Sequence, residues 1–145
     1  MIFPHTLEFE ISSGIASTLS VSINNTECFC KTFDPGLHKE SLSFEYEYED
    51  GEENNLILNW YANGDTAAKH LIVKKLTIND TIINTLNCVY EPQIHQDWWD
   101  SLSDKERKTY EHVIYGNANS HYGWFGKVYY TYYTGKNVAS TYTSN

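Results

Sequence analysis

The sequence predicts a mostly β protein, an antiparallel β-sandwich with one short helix near 104–115. Three observations carry this. Several short runs alternate apolar and polar residues, each bounded by turn residues at regular spacing. Aromatics make up 15% of the chain, with 12 tyrosines, a composition that suits pleated, half-buried surfaces. Only one stretch switches to a helical period. At 145 residues the length fits a single domain, placed here at 1–135, followed by a polar tail at 136–145.

Leu7 to Ile11 reads as a first strand, ended by Ser12-Ser13-Gly14. Leu19, Val21 and Ile23 alternate with Ser20 and Ser22, and Asn24-Asn25 then turns the chain. Glu27 to Phe33 is the expected hairpin partner, closed by the turn Asp34-Pro35-Gly36. Leu42 to Glu49 has the cleanest alternation: Leu42, Phe44, Tyr46 and Tyr48 on one face, Ser43, Glu45, Glu47 and Glu49 on a wet, acidic one. Leu56 to Tyr61, the polar turn Asn63-Gly64-Asp65-Thr66 and His70 to Ile78 predict a long hairpin, the spine of a sheet. Its second arm breaks phase. Leu71 and Val73 share one face and Ile72, Leu76 and Ile78 the other, which requires either cover on both faces or a bulge. Leu86 to Tyr90 adds a short strand before Pro92.

Ser103 with Glu106 matches a capping box, Gly116 supplies a stop, and the helix is placed from Asp104 to Tyr115. Trp98 and Trp99, just upstream, are expected to pack it onto the sheet. Gly123 to Tyr133 is a final aromatic strand, with glycines on both sides of Trp124-Phe125 that suggest a bend or a close backbone approach.

Charge and composition then limit the function. A formal net charge of −9 argues against a phosphate-binding surface, so no nucleic-acid partner is expected. MIFPHTLEFE has neither a basic n-region nor an apolar run long enough for a signal peptide or membrane span, and no membrane insertion is expected. Cys28, Cys30 and Cys88 are an odd set that fits a reducing compartment. Cys28 and Cys30 are read as small buried hydrophobes on one strand face. The six histidines are scattered without metalloprotease or hydrolase spacing, and His95 with Asp97 forms at most a chance pair, so the chain is read as non-catalytic.

The strand with Leu and Trp, the Asn-Gly-Asp turn and HLIVKKLTIND resemble small β-sandwich carbohydrate-binding modules, notably the calcium-dependent, xylan-binding type. GWFGKVYY resembles the final strand of sandwiches in virion proteins of tailed bacteriophages. Phe44 to Asp80 and Gly123 to Tyr133 carry these resemblances. They imply a jelly-roll-like or carbohydrate-binding-module-like sandwich and two functions. One is a non-catalytic virion component, a head decoration, neck, tail or fibre-associated protein made in the host cytoplasm. It would assemble with other virion proteins as a homo- or hetero-oligomer, with glycan adhesion as an addition. Cell-surface glycan would be a further partner of that component, the first reading; the alternative is a free-standing carbohydrate-binding module of the calcium-dependent type.

The candidate ligand-binding residues are Trp60, Tyr61, Asn63, Asp65 and Trp124, aromatic platforms beside polar groups. For each aromatic the competing role is core packing. Asn63 and Asp65 are the candidate calcium ligands, against a role in shaping the turn alone. The xylan-binding pattern has an acidic residue just before the second strand, where this chain has Thr66-Ala67-Ala68-Lys69.

Overall fold

The structure, a computed structural model, describes residues 1–85, 88–94, 96–115, 120–134 and 139–140. Among the described residues, eleven strands and two helices follow in chain order. They are β1 (Ile2–Ser13), β2 (Ser17–Ile23), β3 (Thr26–Phe33), β4 (Gly36–Glu47), β5 (Glu53–Tyr61), β6 (Lys69–Ile78), β7 (Thr81–Ile83) and β8 (Val89–Pro92). Then come α1 (Gln96–Ser101), α2 (Asp104–Tyr115), β9 (His121–Tyr122), β10 (Gly126–Tyr133) and β11 (Ala139–Ser140). Two antiparallel sheets form the expected sandwich. The first runs β4-β1-β6, with β7 and β9 both on the far edge of β6. The second runs β3-β2-β5-β10, with β8 and β11 on the far edge of β10. No helix among the described residues is long and apolar enough to cross a membrane.

The long hairpin expected from Leu56 to Ile78 does not exist. β5 pairs with β2 and β10, whereas β6 pairs with β1, so the intervening segment crosses from one sheet to the other. The inward rows Leu56, Leu58, Trp60 and Leu71, Val73, Leu76, Ile78 are all buried, one from each sheet of the sandwich. Turn residues between two apolar strands serve a crossover as well as a hairpin.

The phase break in β6 is a bulge. Glu8 of β1 faces Lys75 and Phe9 faces Val73, leaving Lys74 as the extra residue. That one insertion returns Leu76 and Ile78 to the face of Leu71 and Val73. A second bulge, in β3, sets Phe29 opposite Val21 and Glu27 opposite Ser22, with Cys28 between. It breaks the face shared by Cys28 and Cys30: Cys28 is half-buried and Cys30 exposed, so neither is a buried hydrophobe.

Two hairpin turns are written in the sequence. Asn24 and Asn25 have φ of 49° and 69°, and Asn79 and Asp80 have 48° and 64°. Consecutive left-handed residues match the right-handed twist of the strands they join, and Asn and Asp tolerate that region best among residues with a Cβ. The helix at Asp104–Tyr115 stands as expected, and its capping box is reciprocal. Ser103 N–H donates to Glu106 Oε1 (3.0 Å) and Glu106 N–H to Ser103 Oγ (3.2 Å). The Gly116 stop lies outside the described residues. Trp98 and Trp99 form part of a second helix, α1, whose terminal carbonyls accept from the Arg107 guanidinium at 3.1 and 3.0 Å. The short strand expected at Leu86 to Tyr90 runs from Val89 to Pro92, Leu86 and Asn87 lying outside the described residues. In the tail, Ala139 and Ser140 pair with Tyr133 and Tyr132.

A buried polar chain joins the sheets. His5 Nε2 on β1 meets the Tyr48 hydroxyl at 2.5 Å, and that hydroxyl meets the Tyr132 hydroxyl of β10 at 2.7 Å.

Candidate functional site

Alternation decides what the second sheet shows to solvent. On β5 the residues Leu56, Leu58 and Trp60 point into the core, so Asn59 and Tyr61 point out. Register then assembles a row across three strands: Asn59 faces Lys127 of β10, which faces Glu91 of β8. Next to this row, Trp60 faces Gly126 and Gly126 faces Pro92. Gly126 is required there, because a Cβ would lie 2.3 Å from the Glu91 carbonyl oxygen and 2.9 Å from Pro92 Cα. This is the close backbone approach expected from the glycines around Trp124-Phe125.

A cleft of about 290 Å³ opens at this point, lined by Asn59, Trp60, Tyr61, Glu91, Pro92, Gln93, Gly126 and Lys127. Two more clefts adjoin it through shared residues. Gln93 also lines a space of about 390 Å³ with Gly64, Asp65, Ile94 and Phe125. Tyr61 also lines one of about 290 Å³ with Ile15, Ala16, Thr18, Thr32, Ala62 and Asn63. The Tyr61 side chain is 41% exposed at the junction. Among the described residues, the side-chain heads of Asn59, Asn63, Gln93 and Lys127 make no hydrogen bond or ion pair. Glu91 Oε2 accepts from the Tyr129 hydroxyl at 3.1 Å, which raises the Tyr129 pKa together with burial, the larger cause.

The five candidate residues have different fates. Trp60 is 1% exposed; its indole N–H donates to Ser17 Oγ (3.2 Å), and its ring meets Phe125 edge-on at 4.7 Å. It is a core residue and not a platform, because alternation on β5 sends it inward. Tyr61 is displayed. Asn63 and Asp65, only two positions apart, line different clefts. Trp124 is half-buried in a cluster with Trp98 (6.1 Å) and Tyr110 (6.4 Å), and Tyr90 holds its backbone. The Tyr90 hydroxyl donates to Trp124 O (2.5 Å) and accepts from Trp124 N–H (3.1 Å), and burial pushes the Tyr90 phenol pKa up.

The donor set does not fit calcium. Asp65 Oδ1 accepts from Thr66 N–H (2.8 Å) and from the Lys69 ammonium (2.8 Å), which also donates to Thr66 O. The Lys69 side chain is 5% exposed and lies 5.1 Å from the centre of the Phe125 ring. A buried cation is thus already seated on the one carboxylate of this turn, and it would repel a second. Among the described residues no three His, Cys, Asp or Glu side chains converge as metal ligands. Thr66-Ala67-Ala68, the residues just before β6, carry no carboxylate.

A His–carboxylate pair lies elsewhere, on the outer face of the first sheet. His70 Nε2 is 2.9 Å from Glu10 Oε2, the His121 ring is 5.6 Å from His70, and Lys74 lies 3.7 Å from the other Glu10 oxygen. His95 lies outside the described residues, so its pairing with Asp97 is not described.

Asn59, Glu91, Gln93 and Lys127 were not among the candidates from sequence. They come from three separated segments that only the strand order β5-β10-β8 brings together. The alternation of LILNWY was the available signal, since it puts Asn59 on the face of Tyr61.

These features define a class by fold: a two-sheet antiparallel sandwich similar to known carbohydrate-binding modules. Solved structures similar to this chain include vCBM60 in complex with galactobiose, with a TM-score of 0.51 and 12% identity over 87% of this chain and 95% of that one. A selenomethionine form of vCBM60 is similar at a TM-score of 0.49 and 12% identity over 88% of each chain. It is described with a circular permutation linking two families of calcium-dependent carbohydrate-binding modules. No protein-family model matches the chain, and no curated protein matches it. None of the comparisons points to a virion protein.

Proposed function

We propose that the chain is a non-catalytic carbohydrate-binding protein that takes a neutral glycan segment in the cleft beside Tyr61. The observation that carries this is the combination of an exposed tyrosine ring with Asn59, Gln93 and Lys127 heads on one side of it that are unpartnered among the described residues. A sugar ring offers an apolar face to an aromatic ring and hydroxyls that both donate and accept. Amides supply both functions, Lys127 donates and Glu91 accepts. With Lys127 and Glu91 both present the local charge balances, which favours a neutral sugar over an acidic one. The cleft volume of about 290 Å³ lies at the small end for ligand sites, and the adjoining clefts offer room to extend along a chain. The fold of a module solved with galactobiose supports carbohydrate as the ligand class. No metal enters this reading.

The test is a glycan-array screen of the purified chain followed by calorimetric titration of a bound neutral oligosaccharide. Tyr61→Ala is expected to weaken binding by roughly three- to tenfold, the range of an aromatic contact of about 0.5–1.5 kcal/mol. A chelator is expected to leave affinity unchanged. Absence of binding to every neutral glycan, unchanged affinity in Tyr61→Ala, or loss of binding with chelator would each sink the proposal.

A further inference from the structure

We propose that the outer edge of β4 is a dimerisation edge, taking the same strand of a second copy of this chain in antiparallel pairing. β4 spans Gly36–Glu47, 12 residues, and among the described strands pairs with β1 alone. A strand edge displays unpaired N–H and C=O groups, and proteins ordinarily blunt it by shortness, proline, a bulge or a charge pointing inward. The other described edges are blunted. β7, β8, β9 and β11 run two to four residues, and β3 has the bulge at Cys28. β4 holds continuous register with β1 from Gly36 opposite Ser13 to Glu47 opposite Ile2, with neither bulge nor proline. Its one inward charge, Glu40, is answered by Lys31 at 3.6 Å. The inward residues Leu42, Phe44 and Tyr46 pack on the core yet stay half-buried, because among the described residues no strand lies beyond this edge.

The strand's own charges say what fits there. In antiparallel pairing, residues directly opposite share a face, so a two-fold axis must pass midway between one residue and its own copy. Centred on Leu42, the pairing uses residues 37–47 of both copies. It sets exposed Lys39 opposite the second copy's Glu45, twice by symmetry. Ser41 then meets Ser43, and Leu42 meets Leu42 inside. Moving the axis to Ser43 shortens the overlap to 39–47 and exchanges Glu45 for Glu47 as the partner of Lys39. The Leu42 register is the longer one and covers the half-buried leucine with its own copy.

The axis stands normal to the first sheet, so both copies of the second sheet lie on the same side of the extended sheet. If the proposed glycan site is right, the two Tyr61 clefts then face one surface and bind it with avidity.

Light scattering after size exclusion tests the edge without any glycan, on the whole chain over a range of concentrations. The expected mass is about twice 16.8 kDa. Lys39→Glu and Glu45→Lys should each raise the dimer dissociation constant by about tenfold or more, since both symmetric pairs become like-charged. The double variant should restore the dimer, and Glu47→Lys, with the same charge change on the same strand, should leave it intact. Lys39 lies opposite Glu10 on β1, so Lys39→Glu also stresses the monomer; Glu45 lies opposite Pro4, and Glu45→Lys does not. A wild-type chain that stays at 16.8 kDa at every concentration overturns the proposal. So does a dimer unmoved by Glu45→Lys, or a double variant that remains monomeric. Failure to bind glycan would overturn the cleft reading and leave this one standing.

Discussion

Acidification from pH 8 to pH 4 is expected to remove about 3 kcal/mol of stability through His5 alone. His5 is 1% exposed and stacks on Phe44 at 4.7 Å, and among the described residues its Nδ1 has no hydrogen-bond partner. Burial is the largest influence on it and lowers its pKa from 6.5 to about 4. The neutral imidazole is therefore the native form. Above pH 6.5 neither the folded nor the unfolded chain protonates this group, and it costs nothing. Below 6.5 the unfolded chain takes up a proton that the folded one refuses, so stability falls until about pH 4 and then levels. At about 1.36 kcal/mol per pKa unit, that gap amounts to about 3 kcal/mol. Glu106, held below the ordinary 4.5 by its Ser103 hydrogen bonds, loses its contribution only as pH falls below that value, a separate window. The assay is denaturant unfolding at a series of pH values for the wild type and His5→Phe. The phenyl ring keeps the stack and cannot titrate. The variant is expected to start less stable, having lost the Tyr48 hydrogen bond, and to show a flatter profile between pH 6.5 and 4.5. If the two profiles run parallel, the acid sensitivity belongs elsewhere and the reasoning fails.

Two further substitutions probe the scaffold. Gly126→Ala sets a Cβ 2.3 Å from the Glu91 carbonyl, so β8 must move off β10; a loss of roughly 1–3 kcal/mol is expected in thermal melting, with the cleft deformed. Ser103→Ala removes half of the capping box of α2, and hydrogen exchange should show the first turn of that helix opening more readily, by about 1 kcal/mol.

Much of the scaffold is legible in local chemistry. Asn24-Asn25 and Asn79-Asp80 name their own turns, because few other residues accept two successive positive φ values. Ser103 and Glu106 name a helix start for a similar reason: each side chain satisfies a backbone N–H of the other. The broken phase of HLIVKKLTI required either cover on both faces or a bulge, and pairing with β1 decides for a bulge at Lys74. The candidate site was less legible. Tyr61 could be placed outside from alternation alone, and the same alternation puts Trp60 inside. Asp65 looked like a cation ligand until Lys69, four residues on, proved to occupy it.

The sequence by itself determined the cores of the longer strands, the Asn24-Asn25 turn, the helix start at Ser103 and the apolar face of most strands, because propensity, capping and alternation act within a few residues. Only the tertiary structure decided which strands are neighbours. LILNWY and HLIVKKLTI read as a hairpin, yet each makes its hydrogen bonds in a different sheet. Strand pairing is settled by burying all the apolar faces at once, a sum over the whole chain that no local window contains. The cleft inherits that dependence, since Asn59, Lys127 and Glu91 become neighbours only when β5, β10 and β8 do.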